Sequence, residues 1–309
     1  MSTSHLQNLL VAYTATATGK DALNLGAALA RTTGAHLHIV TVLPEDDAYA
    51  AVYPSDRGHV PIIQKQVRGW LEEARASLPE DIHSTIHTVS DSSDAAGLLA
   101  AAQQLNCEGI VLGGRRGGIL RRFKLGTTAN TLLHSSPVPV ILAPAGYDNQ
   151  QHLSRITAMF GPRPGAKDVI SRALTAAKTH TLPLRLVSLV FVDRDDHPIE
   201  VNESTPAGAL IDQVETFGNE QLAVQAADLV ANKQASTVVA TGKSVADAVG
   251  ELAWLEDELV LVGSSRLATA NRIFLGSTAS RMLRAVSVPM MIIPAGTQQQ
   301  PSRTSSRTI

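Results

Sequence analysis

The chain has 309 residues, 44% of them hydrophobic, and a formal net charge of −2. That length accommodates two hydrophobic cores of ordinary domain size, and so small a net charge gives no reason to expect nucleic acid, a membrane surface or a strongly acidic partner. The single cysteine, Cys107, excludes an internal disulfide framework and a thiolate metal cluster, and is expected to be inert.

The N-terminal stretch MSTSHLQNLLVAY has no basic start, and its apolar run is too short for a signal peptide. No segment reaches the length of a membrane span, so a cytoplasmic, reducing setting is expected. NLLVAY reads as a short buried strand, followed by a helix from Asp21 with Ala22, Leu25 and Leu29 on one face and Gly34 as its stop. HLHIVTVL is the next strand, and a helix from Pro61 carries Ile63, Val67, Trp70, Leu71, Ala74 and Leu78 at helical spacing. STIHTV, a helix with Ala95, Leu98, Leu99, Ala102 and Leu105, and GIVL follow. A glycine loop then leads to a helix starting near Thr127, and VPVILAP is the fifth strand.

The same order then recurs. ITAMF precedes a helix with Val169, Ile170, Ala173, Leu174 and Ala177, and LRLVSLVFV precedes one with Leu210, Val214, Phe217 and Val224. STVVAT leads to a helix with Val245, Ala248, Val249, Leu252 and Leu255, and ELVLVG and VPMMIIPA close the series. Gly113 and Gly263, Arg116 and Arg266, Gly126 and Gly276, Thr127 and Ser277, and Pro139 and Pro289 all stand 150 positions apart. Two units of βαβαβαβαβ form follow, residues 1–146 and 152–296, with a tail at 297–309 that lacks apolar periodicity and is expected to be disordered. Alternating strands and helices with short connections imply parallel five-stranded sheets covered on both faces, whose ligands bind beyond the strand C-termini at the switch point. The halves are expected to superpose as two such sheets about a near two-fold axis, not as one continuous sheet. The proline inside each final strand fits a sheet edge.

Positive charge collects on one segment of each unit. No acid lies between Glu108 and Asp148, an interval holding Arg115, Arg116, Arg121, Arg122 and Lys124; after Glu258 come Arg266, Arg272, Arg281 and Arg284 and no acid at all. A solvated basic face is the plain alternative, but recurrence in both units points to an anion. Gly126-Thr127-Thr128 and Gly276-Ser277-Thr278 fit a phosphate-holding loop: glycine lets backbone N–H groups approach, the hydroxyl donates, and the helix N-terminus is partly positive. Thr or Ser capping a helix with no ligand is the competing explanation.

In these motifs the sequence resembles the universal stress protein family in its tandem form. The family pattern is Gly-x-x-Gly, nine residues, Gly-Ser or Gly-Thr, then a helix and a final strand; here it reads GGRRGGILRRFKLGT and GSSRLATANRIFLGS, followed by SPVPVILAP and SVPMMIIPA. The resemblance covers nearly the whole chain twice and implies two Rossmann-like (adenine nucleotide alpha hydrolase-like) domains. It also implies final strands that pair, here as a pseudo-dimer within the chain, with further homodimerisation left open. ATP is the cofactor it brings into question. Two departures weaken that. The second loop glycine is Arg116 in one unit and Arg266 in the other, and the aspartate that the ATP-binding branch places after the first strand is replaced by Tyr13-Thr14 and Phe160-Gly161. An arginine there either offers a forked donor to phosphate or fills the phosphate space with its bulk; filling is the reading adopted. The residues that would line the pockets are thus Tyr13, Thr14, Gly113, Arg116, Gly126, Thr127 and Thr128, and Phe160, Gly161, Gly263, Arg266, Gly276, Ser277 and Thr278.

ATGKSVAD is not a P-loop, because the required first glycine is Thr237; Ser244 reads as a helix cap and Lys243 as a solvated or pocket-rim cation. His36, His38, His83 and His87 have no carboxylates or cysteines at metal spacing, so no metal is expected and they read as core or surface residues. No nucleophile elbow, His-Glu-x-x-His or pair of acids placed by strand ends occurs. The expectation is a non-enzymatic regulatory protein of stress response acting through an unidentified protein partner or a sensed nucleotide or other anion, with a genuine, slowly hydrolysing ATP binder as the alternative.

Overall fold

A computed structural model describes residues 6–45, 60–117, 122–161, 166–191, 206–265 and 272–295. The expected disorder of the C-terminal tail concerns residues outside these.

Unit one runs β1 (Asn8–Ala12), α1 (Ala17–Thr33), β2 (His36–Pro44), α2 (Val60–Ala76), β3 (Ser84–Asp91), α3 (Asp94–Gln104), β4 (Gly109–Gly113), a hairpin of β5 (Arg115–Gly117) and β6 (Arg122–Lys124), α4 (Thr127–Ser135) and β7 (Val140–Ala143). Unit two runs β8 (Arg155–Phe160), α5 (Ala166–His180), β9 (Leu184–Phe191), α6 (Pro206–Gln225), α7 (Ala227–Ala231), β10 (Ala235–Gly242), α8 (Val245–Gly250), β11 (Glu258–Gly263), α9 (Ser277–Ala285) and β12 (Met290–Ile293).

Each unit orders its strands alike, β3-β2-β1-β4-β7 and β10-β9-β8-β11-β12, all parallel. The expectation of two separate sheets is overturned: β12 pairs antiparallel with β7, giving one ten-stranded sheet. Met291 faces Ile141 in that ladder, so the local two-fold of the pair runs between residues 150 apart. Bare β7 and β12 edges would each leave a row of backbone donors and acceptors unpaired; pairing them removes both. Pro139 and Pro289 stand just before these strands, and their carbonyls accept from Ile110 N and Val260 N, both at 2.9 Å. A proline at the strand entrance removes no ladder donor, which is why these strands can be central in the joined sheet.

One apolar core lies on each face of the sheet, and both cores contain residues of both units. The α1 helix is buried almost all round, which its small and apolar residues permit. Its Thr16 cap accepts from Gly19 N at 3.3 Å, and Gly34 closes it at φ 76° with its N–H on Ala30 O, so it begins four residues before the expected Asp21. The stretch between units is strapped to it: Asp21 Oδ2 accepts from Gly146 N, Asn24 Nδ2 donates to Tyr147 O, and Leu153 N donates to Thr32 Oγ1, at 2.8–2.9 Å.

Some expected core positions face outward. Ile63 and Trp70 of α2, and Leu210 and Val224 of α6, are exposed, and α8 stops at Gly250, leaving Leu255 exposed beyond its end. Periodicity finds a helix but not how wide a stripe the sheet can cover.

Candidate functional site

The switch point of each unit lies where β1 and β4, or β8 and β11, end side by side. The first-strand residues expected near a ligand stand at the ends of β1 and β8, and only their two aromatic rings pack on the core. Tyr13 N donates to Val40 O and Tyr13 O accepts from Thr41 Oγ1, both at 2.8 Å, while its ring packs on the core. Burial, and then the negative Glu73, raise its hydroxyl pKa. Thr14 Oγ1 is 2.9 Å from Thr16 Oγ1, and a Cβ on Gly19 would stand 2.0 Å from Thr14 O, so the first turn of α1 is laid directly on this residue. In unit two Phe160 is buried, with its ring 6.0 Å from that of Phe217. Gly161 differs from Thr14: among the described residues nothing lies within 4 Å of where its Cβ would be.

The first loop glycines are needed for packing. A Cβ on Gly113 would meet Thr18 O at 1.9 Å, and one on Gly263 would meet Val169 Cγ2 at 2.7 Å. Between first and last glycine the loop of unit one is a hairpin, with Arg115 opposite Lys124 and Arg116 opposite Phe123. The unit-two loop closes likewise, by Ser265 N donating to Phe274 O at 2.8 Å and Phe274 N donating to Ser264 Oγ at 2.6 Å. The side chain of Arg116 and the whole of Arg266 lie outside the described residues.

The loops reach across the join. Ile273 N donates to Ser136 O at 3.0 Å and Leu275 N to Leu133 O at 3.2 Å, Phe274 meets His134 edge-on at 5.2 Å, and β6 lies against α9. Each loop therefore rests on a helix of the other unit, a long-range contact that neither loop sequence encodes.

Thr127 and Ser277 do not cap their helices, contrary to the competing explanation. Gly126 and Gly276 hold the cap positions, extended at φ −78° and −72°, with no side-chain cap bond. Thr127 and Ser277 are the first helical residues, both exposed, and Thr278 is exposed as well. In unit one the next hydroxyl is engaged: Thr128 Oγ1 donates to Asp94 Oδ2 at 3.3 Å. Asp94 opens α3 after Ser93, whereas the residue after the equivalent cap Ser244 is Val245. Sequence reasoning missed Asp94 because 34 residues separate it from Thr128.

Ser244 is a helix cap, accepting from Asp247 N at 3.2 Å. Cys107 is buried, its thiol pushed up to about 12 by burial and then by the negative Glu108, which leaves it unreactive. Among the described residues no three His, Cys, Asp or Glu side chains are placed to hold a metal ion, and no helix is long and apolar enough to cross a membrane.

Two fused parallel α/β units with glycine-bounded loops over the strand ends define a tandem protein of the doubly wound, Rossmann-like α/β class. The family model of the universal stress protein family matches residues 5–144 and again 153–294, and the chain belongs to that family. Similar curated proteins include universal stress proteins of Mycobacterium bovis and Mycobacterium tuberculosis, each 27% identical over 93% of this chain and 99% of the relative. Among solved structures, a universal stress protein from Archaeoglobus fulgidus shares the fold at TM-score 0.59 and 15% identity, over 93% of this chain and 98% of that one. One from Pseudomonas aeruginosa does so at TM-score 0.59 and 16% identity, over 93% of each.

Proposed function

We propose that the protein is a non-enzymatic, cytoplasmic regulator in stress response, whose first unit has closed its nucleotide pocket with its own residues and whose second keeps an altered anion pocket. Asp94 carries this reading. Its carboxylate takes the hydroxyl of Thr128 at the opening of α4, where helix dipole and free N–H groups would otherwise receive a phosphate. A resident carboxylate satisfies that field and repels a second anion. The rings of Tyr13 and Phe160, packed against the core, support it further, since neither supplies a carboxylate that could anchor a base.

Asp94→Asn tests it by equilibrium dialysis with magnesium ATP. The variant should bind nucleotide several-fold more tightly than the parent, on the order of 1 kcal/mol for an exposed charge. Unchanged or weaker binding would sink the closed-pocket reading of unit one. In both proteins phosphate release from ATP should stay at background, and turnover above it would contradict a non-enzymatic role.

The alternative, a genuine ATP binder, is favoured by one feature of unit two. Ser277 and Thr278 are exposed at the opening of α9, and the residue matching Asp94 there is the uncharged Val245. Arg266→Gly separates the two: a stronger ATP affinity means the arginine fills the site, and a loss of about 1.5–3 kcal/mol means it grips phosphate.

A further inference from the structure

The two units are built differently at one matched place, the N-terminal ends of their strands on the face covered by α3 and α8. In unit one His38 stands between Leu10 and Thr85 in register, and in unit two Arg185 stands between Thr157 and Ser236. Unit two fills the place with fixed charge. Glu258, fully buried, accepts from Arg185 at 2.8 Å and from Arg155 at 2.5 Å as well as from Thr157 Oγ1, and Arg185 also lies 5.0 Å over Trp254.

Unit one fills it with imidazoles. His36 Nε2, His38 Nδ1 and His87 Nε2 all converge on Thr85 Oγ1, at 3.1, 3.0 and 3.0 Å. His38 Nδ1 is also 3.1 Å from His87 Nε2, and its Nε2 is 3.2 Å from Asn8 Oδ1. Adjacent ring centroids are 4.8 and 5.2 Å apart. With Asn8 Oδ1 accepting from His38 Nε2–H, Nδ1 is left as an acceptor for Thr85 or His87, so the network closes with all three rings neutral. An added proton turns a ring acceptor into a donor and breaks the pairing around Thr85 Oγ1, and a second sets two cations about a ring's width apart. The surrounding elements bring little to neutralise them. β1 contributes the uncharged Asn8, the end of α3 carries Gln103 and Gln104, and His83 before β3 is a further base. Glu108, before β4, already accepts from Gln7 N and Asn8 N.

β3 and β10 are the two edges of the ten-stranded sheet. We infer that the histidine cluster is an acid-sensitive clasp: protonation below neutrality loosens edge strand β3 from β2, while β10 and β9, neither of which carries a histidine, stay paired. Burial, and then repulsion from His36 and His87, pushes the His38 pKa down to about 4, and burial lowers those of His36 and His87. The unfolded chain, with histidine near 6.5, then takes up more protons than the folded one as pH falls. The clasp is therefore fully formed above about pH 6.5 and is lost progressively towards pH 4. The inference stands independently of any nucleotide.

Hydrogen–deuterium exchange on the full chain at about pH 7.5 and about pH 5, corrected for intrinsic rates, reads it directly. Peptides over residues 84–91 should lose protection by roughly tenfold or more on acidification, while those over 235–242 change little. Equal change at both edges, or none at 84–91, would overturn the inference. In the variant His36→Gln/His38→Gln/His87→Gln, amides that do not titrate replace the rings, and the acid-dependent loss at 84–91 should vanish; its persistence would be equally fatal. Should that variant not fold, histidine NMR titration of the parent decides: at least one ring of the cluster titrating below pH 5 supports the clasp, and all titrating near 6.5 excludes it.

Discussion

Glu258 has no solvent contact, and its carboxylate receives two guanidinium groups, so neutralising it strands two partly buried cations. Glu258→Gln should cost about 3–5 kcal/mol of stability, read as a fall in urea midpoint. Its counterpart Glu108→Gln, which loses only charge on two backbone hydrogen bonds, should cost about 1 kcal/mol. Equal costs would mean the triad has no special standing. The loop glycines give a second contrast. Gly113→Ala drives a methyl into the backbone of α1 and should destabilise by about 3 kcal/mol or more, whereas Gly263→Ala meets only the tip of Val169 and should cost about 1 kcal/mol. Thermal denaturation checks both, and a harmless Gly113→Ala would show that α1 yields. The glycines themselves were legible in the sequence through their 150-residue spacing. What they do was not: a glycine kept for ligand approach and one kept for helix packing look identical in one dimension, and Asp94 meets Thr128 only through the packing of α3 beside α4.

At the scale of elements, patterning located the inner strands of the two parallel sets, because both faces are buried there and β1, β4, β7, β11 and β12 read as near-continuous apolar runs. It was weaker where stereochemistry rather than hydrophobicity decides. α1 starts at Ala17 because Thr16 caps it, in a run of small residues with no periodic signal. The loop hairpins come from backbone pairing that their basic, glycine-rich sequence does not advertise. The segment from Arg272 to Leu275 joins the units, with Ile273 fully buried against the end of α4. Ile273→Ala should therefore cost about 2–4 kcal/mol, more than an exposed loop residue could. A urea titration showing less than about 0.5 kcal/mol would mean the cross-unit contact contributes nothing.

For the molecule as a whole, the order within each unit followed from alternation of strand and helix, but the fusion into one sheet did not. The family resemblance implied that the final strands pair and the prolines indicated an edge, but that this pairing would merge two sheets into one depends on the two edges meeting in space. With both cores shared between units, unfolding should be a single transition. Trp70→Phe leaves Trp254 as the only tryptophan, in unit two. Its fluorescence should then follow the same denaturation curve as far-UV circular dichroism of the whole chain, and two separated midpoints would mean the units melt alone. The altered pockets are the claim on which the functional account turns, and calorimetric titration of the full chain with magnesium ATP tests it most directly. The account predicts a dissociation constant no tighter than tens of micromolar, about −6 kcal/mol or weaker; a submicromolar constant would contradict it.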